Sequence, residues 1–362
     1  MRRERYGFYM INIGNRRIAE DTPPYFIADI AANHDGELSR AYHLIELAKA
    51  AGADAAKFQN FSASTIVSRN GFDSLGGRLS HQASWKKSVY EVYEQYSIEK
   101  EWTQLLKLKC EEVGIEYLTT PYDLTTVKEV APYVNAFKVG SGDITWIELI
   151  ETIAAHKKPV LLATGASTLE EVERAVQAVR AFHSRVVVMQ CNTNYTASSS
   201  NFNYINLNVL KTYARQYPDL ILGLSDHTSG DVTVLGAIAL GARVIEKHFT
   251  DDNSRSGPDH TFAMNPVTWR EMVNRSMDLW AALGDGVKRI EGNEAETARI
   301  QKRSLYYIHN KQSGSILVKE DVHPLRPMNP AGISPHNLEN ILGKKLKKQV
   351  DKDTCIKWED FE

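Results

Sequence analysis

Eight short, mostly apolar runs recur through residue 249, separated by longer amphipathic stretches. They are residues 25–31 (YFIADIA), 55–59 (AAKFQ), 115–119 (IEYLT), 136–140 (AFKVG), 160–164 (VLLAT), 186–190 (VVVMQ), 220–225 (LILGLS) and 243–249 (RVIEKHF). Apolar runs of this length alternating with helical periodicity are the pattern of βα units in a parallel sheet. Eight of them imply closure, so the expected fold is α/β, a (β/α)8 barrel. The intervening helices carry their own signals. Val172, Ala175, Val176 and Val179 form a stripe behind Ser167 and Glu170, which stand at capping-box spacing. Ala41, Leu44, Ile45 and Ala48 form another, which ends at Gly52.

The pattern changes at both ends. Residues 9–21 (YMINIGNRRIAED) alternate around a Gly-Asn turn and predict a hairpin able to plug the lower end of the barrel. After Leu283 the chain turns polar and glycine-bearing, then shows short strands with frequent turns. The expected organisation is hairpin plus barrel over 1–283, a linker over 284–300 and a small β-rich domain over 301–362.

Composition narrows the function classes. A net charge of −2 over 362 residues gives no field that would gather nucleic acid or an anionic membrane. The three cysteines, Cys110, Cys191 and Cys355, are scattered, without metal-knuckle spacing or an even count for disulfides. No stretch of eighteen apolar residues occurs, and the basic opening residues lack a following apolar segment. A cytoplasmic protein is expected.

In a barrel of this kind, working groups lie at the carboxyl ends of the strands. Polar residues gather there repeatedly. Asp29, Asn33 and His34 go with the first run, Lys57 and Gln59 with the second, Thr120 with the third, and Lys138 and Ser141 with the fourth. Thr164 and Gly165 end the fifth run, residues 192–195 follow the sixth, Ser225 and His227 follow the seventh, and His248 ends the eighth. Both histidines therefore project toward one mouth. A pair of imidazoles can hold a divalent ion with open positions, manganese or magnesium by preference; spacing alone equally fits a loop cap and a core histidine. Lysine in an apolar strand is costly without an anion, so Lys57 and Lys138 favour a phosphate or carboxylate ligand. Asp29 suits a general base, or an ion pair with Lys57 or Lys247.

The strings FIADIAANHDGELSRA, GADAAKFQ, TTPYD, AFKVGSGD, KPVLLATGAS, GLSDHT, GARVIEKHFTDD, SGPDHTFAMNP and LRPMNPAGI, in this order, resemble the sialic acid synthase family. The resemblance implies a barrel followed by an antifreeze-like SAF domain, in a domain-swapped homodimer whose SAF domain reaches the partner's site. It implies condensation of phosphoenolpyruvate (PEP) with an N-acyl mannosamine-type sugar, with a divalent metal, Mn2+ before Mg2+ or Co2+, on His227 and His248. Lys57, Lys138, Ser141 and Ser225 match PEP positions, with Gln59, Thr120 and Thr164 beside them. Tyr195 and Asp259 match sugar-side positions, and Arg326 matches a SAF-domain arginine that meets the N-acyl group. Asp29, Lys57 and Lys138 take the catalytic roles. Asp29 stands where the family commonly has glutamate. Ala163 replaces a frequent serine, leaving Thr164 and nearby amides to meet the phosphate. Three other readings stay open: a legionaminic or pseudaminic branch, a pyruvate aldolase using Lys138, and a silent sugar-binding homologue.

Overall fold

The computed structural model describes residues 9–75, 82, 83, 85–196 and 198–362. The basic opening residues 1–8 lie outside this description. The chain divides into two compact units, 1–284 and 285–362.

All eight apolar runs form strands of the first unit. After the hairpin strands β1 (Met10–Ile13) and β2 (Arg16–Ala19) come β3 (Tyr25–Asp29), β4 (Ala55–Asn60), β5 (Glu116–Pro121) and β6 (Phe137–Val139), then β7 (Val160–Ala163), β8 (Val186–Cys191), β9 (Ile221–Asp226) and β10 (Val244–His248). Strands β3 to β10 pair in sequence, and β10 pairs back onto β3 to close the barrel. The β1–β2 hairpin turns at Gly14, whose φ of +54 suits glycine. Its Ile11, Ile13 and Ile18 pack with Tyr25, Ile27, Ala55, Leu161 and Val244 in one buried cluster. Tyr25, Ala55, Leu161 and Val244 lie in the first halves of their strands, so the hairpin seals the amino end of the barrel.

Alternation along each strand decides what faces the interior. Ile27, Ala55, Leu118, Leu161, Val187, Met189, Ile221 and Val244 make a dry floor. The neighbours of opposite parity meet the helices. Gly223 faces inward where a side chain has no room: a Cβ there would lie 2.8 Å from Met189 Cγ and 2.8 Å from the Val244 carbonyl oxygen.

The helix Leu169–Arg180 buries Val172, Ala175, Val176 and Val179 as the stripe predicts. Its cap is shifted by one residue from expectation: Thr168 and Glu171 form the capping box, while Ser167 donates to the Gly165 carbonyl. The sequence Ser-Thr-Leu-Glu-Glu offers the same spacing twice, and the chain uses the second. Among the described residues no helix is long and apolar enough to cross a membrane.

The second unit holds the antiparallel pair β11 (Ser304–Tyr307) and β12 (Val322–Leu325). Its own core includes Leu305, Tyr307, Leu317, Ile333, Ile341 and Ile356. The end of the stretch expected as linker is part of the helix Ala295–Gln301, which groups with this unit.

Gly223→Ala should destabilise the barrel by about 1–3 kcal/mol, since neither the Val244 backbone nor the packed Met189 can yield freely. Denaturant unfolding followed by far-UV circular dichroism measures it.

Candidate active site

Above the dry floor the inward positions turn polar. Asp29, Lys57, Lys138, Ser225 and Glu246 are all buried there. The Lys57 ammonium sits 2.8 Å from Asp29 Oδ2 and 4.0 Å from Glu246 Oε1, which is 3.4 Å from Lys138 Nζ. Ser225 donates to the same Glu246 oxygen at 3.1 Å, and Gln59 donates to Asp29 Oδ2 at 3.3 Å. Burial alone would lower the Lys57 pKa, but the charges of Asp29 and Glu246 outweigh it and raise the pKa above its ordinary value. The ammonium is therefore kept charged inside the protein. Glu246 Oε2 has no hydrogen-bond partner. Sequence reading missed Glu246, although it lies two residues before His248 and hence on the same face of β10.

That parity also separates the lysines. Lys247 points outward and pairs with Asp226 at 2.5 Å, where Thr228 and Thr233 complete a buried structural cluster. Asp29 is thus left to Lys57 alone of its two expected partners.

The two histidines meet at the rim with ring centroids 5.4 Å apart. His227 Nδ1 donates to the Asn192 carbonyl at 2.9 Å, which leaves Nε2 as the nitrogen with a lone pair when the ring is neutral. His248 Nε2 lies 3.7 Å from Asp29 Oδ2, and its Nδ1, 3.8 Å from Asp259, is buried without a hydrogen bond. Burial, then the neighbouring His227 and Lys57 charges, push the His248 pKa well below the usual imidazole range. A neutral ring with an orphaned nitrogen beside a second free imidazole nitrogen is the donor set a divalent ion requires. Among the described residues no three His, Cys, Asp or Glu side chains converge on a position that could hold a metal.

Most other expected residues reach this mouth. Thr120 pairs in register with Gln59, inward by the parity of Leu118. Ser141 Oγ accepts the Gly165 amide at 3.0 Å. The Tyr195 ring lies 4.3 Å from His227, and Phe262 lies 4.9 Å from His248. Gln59, Tyr195, His248 and Asp259 line a cavity of about 160 Å3. Two assignments fare differently. Thr164 follows the inward-facing Ala163 and so turns outward, donating to the Met189 carbonyl and accepting from Tyr213 at 3.0 Å each; it does not enter the mouth. Arg326 lies in the second unit, exposed just beyond β12.

Comparison with known proteins decides the family. Residues 44–288 match the NeuB family model and residues 302–362 the SAF domain. The chain belongs to the NeuB family. It is 32% identical to the N,N'-diacetyllegionaminic acid synthase of Legionella pneumophila over 93% of this chain and 94% of that one. It is 30% identical to a pseudaminic acid synthase of Campylobacter jejuni over 97% of this chain and all of that one. The crystal structure of the N-acetylneuraminic acid synthetase of Leptospira borgpetersenii, in complex with citrate, matches with a TM-score of 0.70 at 26% identity, over 81% of this chain and 96% of that one. This NeuB-family chain is an N-acetylneuraminate synthase-like enzyme.

In this NeuB-family chain the loop bearing Asp259 and Phe262 is tied down by charge. Asp35, itself at φ +54, accepts from Arg255 at 2.8 Å and contacts buried His260 Nε2 at 2.9 Å. Arg40 bridges Asp35 at 3.0 Å and Asp251 at 2.5 Å. Asp259 then accepts the Ala32 amide at 3.2 Å. Burial pushes the Asp251 carboxyl up, but the hydrogen bonds and charge of Arg40 prevail and hold it at about 2. A depressed carboxyl stabilises the fold above its unfolded value and loses that effect as pH falls through its folded one. Asp251→Asn should therefore lower the thermal midpoint at pH 7, and its deficit should vanish between about pH 4 and pH 2; paired melting curves across that range check it.

Proposed function

We propose that this enzyme condenses PEP with the open-chain form of an N-acyl mannosamine-type sugar and water, giving a nine-carbon 2-keto acid and inorganic phosphate. The observation behind this reading is the pair of buried ammonium groups, held by Asp29 and Glu246, directly beneath two free imidazole nitrogens. The names of its relatives, synthases of legionaminic and pseudaminic acids, point to the same reaction class.

Lys57 and Lys138 would hold the phosphate and carboxylate of PEP, replacing water as counter-charge in a closed site. Ser141, Ser225, Gln59 and Thr120 supply neutral hydrogen bonds around them, and the inward-facing Ala163 leaves the phosphate to backbone amides. His227 and His248 would hold a divalent ion, manganese by preference, which when bound polarises the sugar aldehyde as a Lewis acid. The C3 carbon of PEP forms a bond to that aldehyde carbon, and the aldehyde oxygen takes up a proton. Positive charge develops at C2 of PEP, and water adds there. Asp29, 3.7 Å from His248 Nε2, would orient that water and receive its proton. The C2–O bond to phosphate then breaks with its electron pair on the leaving oxygen, while the C2 hydroxyl gives up its proton to the departing phosphate and its oxygen forms the keto double bond. Shortened by one methylene relative to glutamate, Asp29 acts through a bridging water in this scheme. Tyr195 and Asp259 hold the sugar side. Arg326 of a second copy would reach the N-acyl group in a swapped homodimer. The three unpaired cysteines suit a cytoplasmic enzyme.

Phosphate release from PEP, manganese and an N-acyl mannosamine tests the reaction. Release that depends on both substrates supports it, while lysine trapping by borohydride with pyruvate alone would replace it with a Schiff-base aldolase. Asp29→Asn should keep PEP binding and slow turnover by roughly two to four orders of magnitude, whereas Asp29→Glu should retain measurable activity; steady-state kinetics separates them. His227→Ala and His248→Ala should each lose most turnover and metal binding with the fold intact, read by manganese titration and circular dichroism. Mixing Arg326→Ala and His248→Ala chains should restore activity as subunits exchange, since one composite site of a swapped dimer is then whole.

A further inference from the structure

In the scheme above Glu246 does no more than hold Lys138, yet its surroundings leave part of its charge unused. Its Oε1 lies 3.4 Å from Lys138 Nζ and 4.0 Å from Lys57 Nζ, and it accepts the Ser225 hydroxyl at 3.1 Å. Its Oε2 is buried and accepts no hydrogen bond from the described residues. Asp29 differs: Oδ2 meets Lys57 at 2.8 Å and Gln59 at 3.3 Å, and Oδ1 accepts the Ala31 amide at 3.2 Å. Keeping a carboxylate oxygen out of water without a donor is costly, so such an orphan calls for an explanation beyond packing.

Placement on the strand supplies one. His248 follows Glu246 by two residues on the same face of β10 and so stands about 6–7 Å nearer the mouth. Under the condensation proposed above, on which this reading rests, the aldehyde stands at the histidines and the two anionic groups of PEP at Lys57 and Lys138. Both groups are attached at C2, the carboxylate directly and the phosphate through one oxygen, so C2 is the atom that lies between the two ammonium groups. The carboxylate near both ammonium groups in the folded chain is that of Glu246. We infer that Glu246 is a further catalytic residue, whose carboxylate faces C2 of PEP from below and stabilises the positive charge that builds there as C3 bonds to the aldehyde. No bond to Glu246 forms and no proton moves to it. The electron pair of the C2–C3 double bond goes to the aldehyde carbon, and the deficit left at C2 falls beside a fixed negative charge above the dry floor. In the ground state the same charge opposes an incoming anion. Only the transition state gains from it, which is the condition for speeding a reaction rather than tightening binding.

Glu246→Gln in the full chain separates this role from that of an ion-pair partner, because glutamine keeps the size of the side chain and an acceptor for Ser225 while removing the charge. Calorimetric titration of PEP with manganese present should show binding at least as tight as in wild type, since one repulsive charge is gone. Turnover, read as phosphate release with PEP and the N-acyl mannosamine-type sugar that wild type uses, should fall by about a hundredfold to a thousandfold. Glu246→Asp, which returns the charge one methylene further away, should regain about tenfold or more of that loss. A folded Gln variant that turns over within about threefold of wild type, or whose PEP affinity falls in step with its turnover, would overturn the inference and leave Glu246 an ion-pair partner of Lys138. If circular dichroism shows the Gln variant unfolded, the Asp variant decides: slower turnover with PEP affinity held supports the assignment, and equal losses in both overturn it. A wild-type chain that releases no phosphate from PEP with any such sugar overturns the condensation itself, an outcome distinct from any difference between wild type and variant.

Discussion

Two ammonium groups inside a closed barrel must be matched by negative charge, because each buried ion costs several kcal/mol without it. The upper barrel is organised around that requirement. Asp29 on β3 and Glu246 on β10 come from strands adjacent in the closed sheet, and between them they serve Lys57 and Lys138. Closure alone makes this possible, since β10 must return to β3 for these groups to share one interior. The hairpin at the opposite end excludes water from the floor, so the polar layer has solvent on one side only. An anion entering from that side finds the positive charges already ordered.

The histidines continue the same logic one layer higher. His248 shares a strand face with Glu246 and lies near Asp29, while His227 is oriented by the Asn192 carbonyl. Ammonium groups in one layer and imidazoles in the next stack two kinds of polar group toward the mouth. The charged clamp around Asp35 then sets the loop that brings Asp259 to the rim, so the mouth is shaped by ion pairs inside and outside the barrel.

Much of this was legible in the sequence because it depends on short periods. The eight apolar runs gave the closed sheet, and the alternation of residues 9–21 around their Gly-Asn pair gave the plug. Asp29, Lys57, Lys138 and His248 stood out as polar residues in apolar runs. Glu246 did not, because the run RVIEKHF holds several ionisable residues and only strict parity from His248 selects Glu246 inward and Lys247 outward. Thr164 failed by the same rule: it ends its run, but Ala163 holds the inward face. The Thr168 cap was hidden by a duplicated spacing. The clamp joins residues more than two hundred positions apart, Asp35 with Arg255 and His260, and no local pattern encodes such a contact.

The central claim is that Lys57 and Lys138 form a prepared anion site rather than a set of structural ion pairs. Calorimetric titration of PEP into the wild-type chain and into Lys57→Met, with circular dichroism confirming the fold, tests it most directly. The account predicts that the variant stays folded and loses PEP affinity by about a hundredfold or more, the effect of removing a buried counter-charge. PEP binding of unchanged affinity in the folded variant would contradict it and make the cluster a structural feature of the barrel.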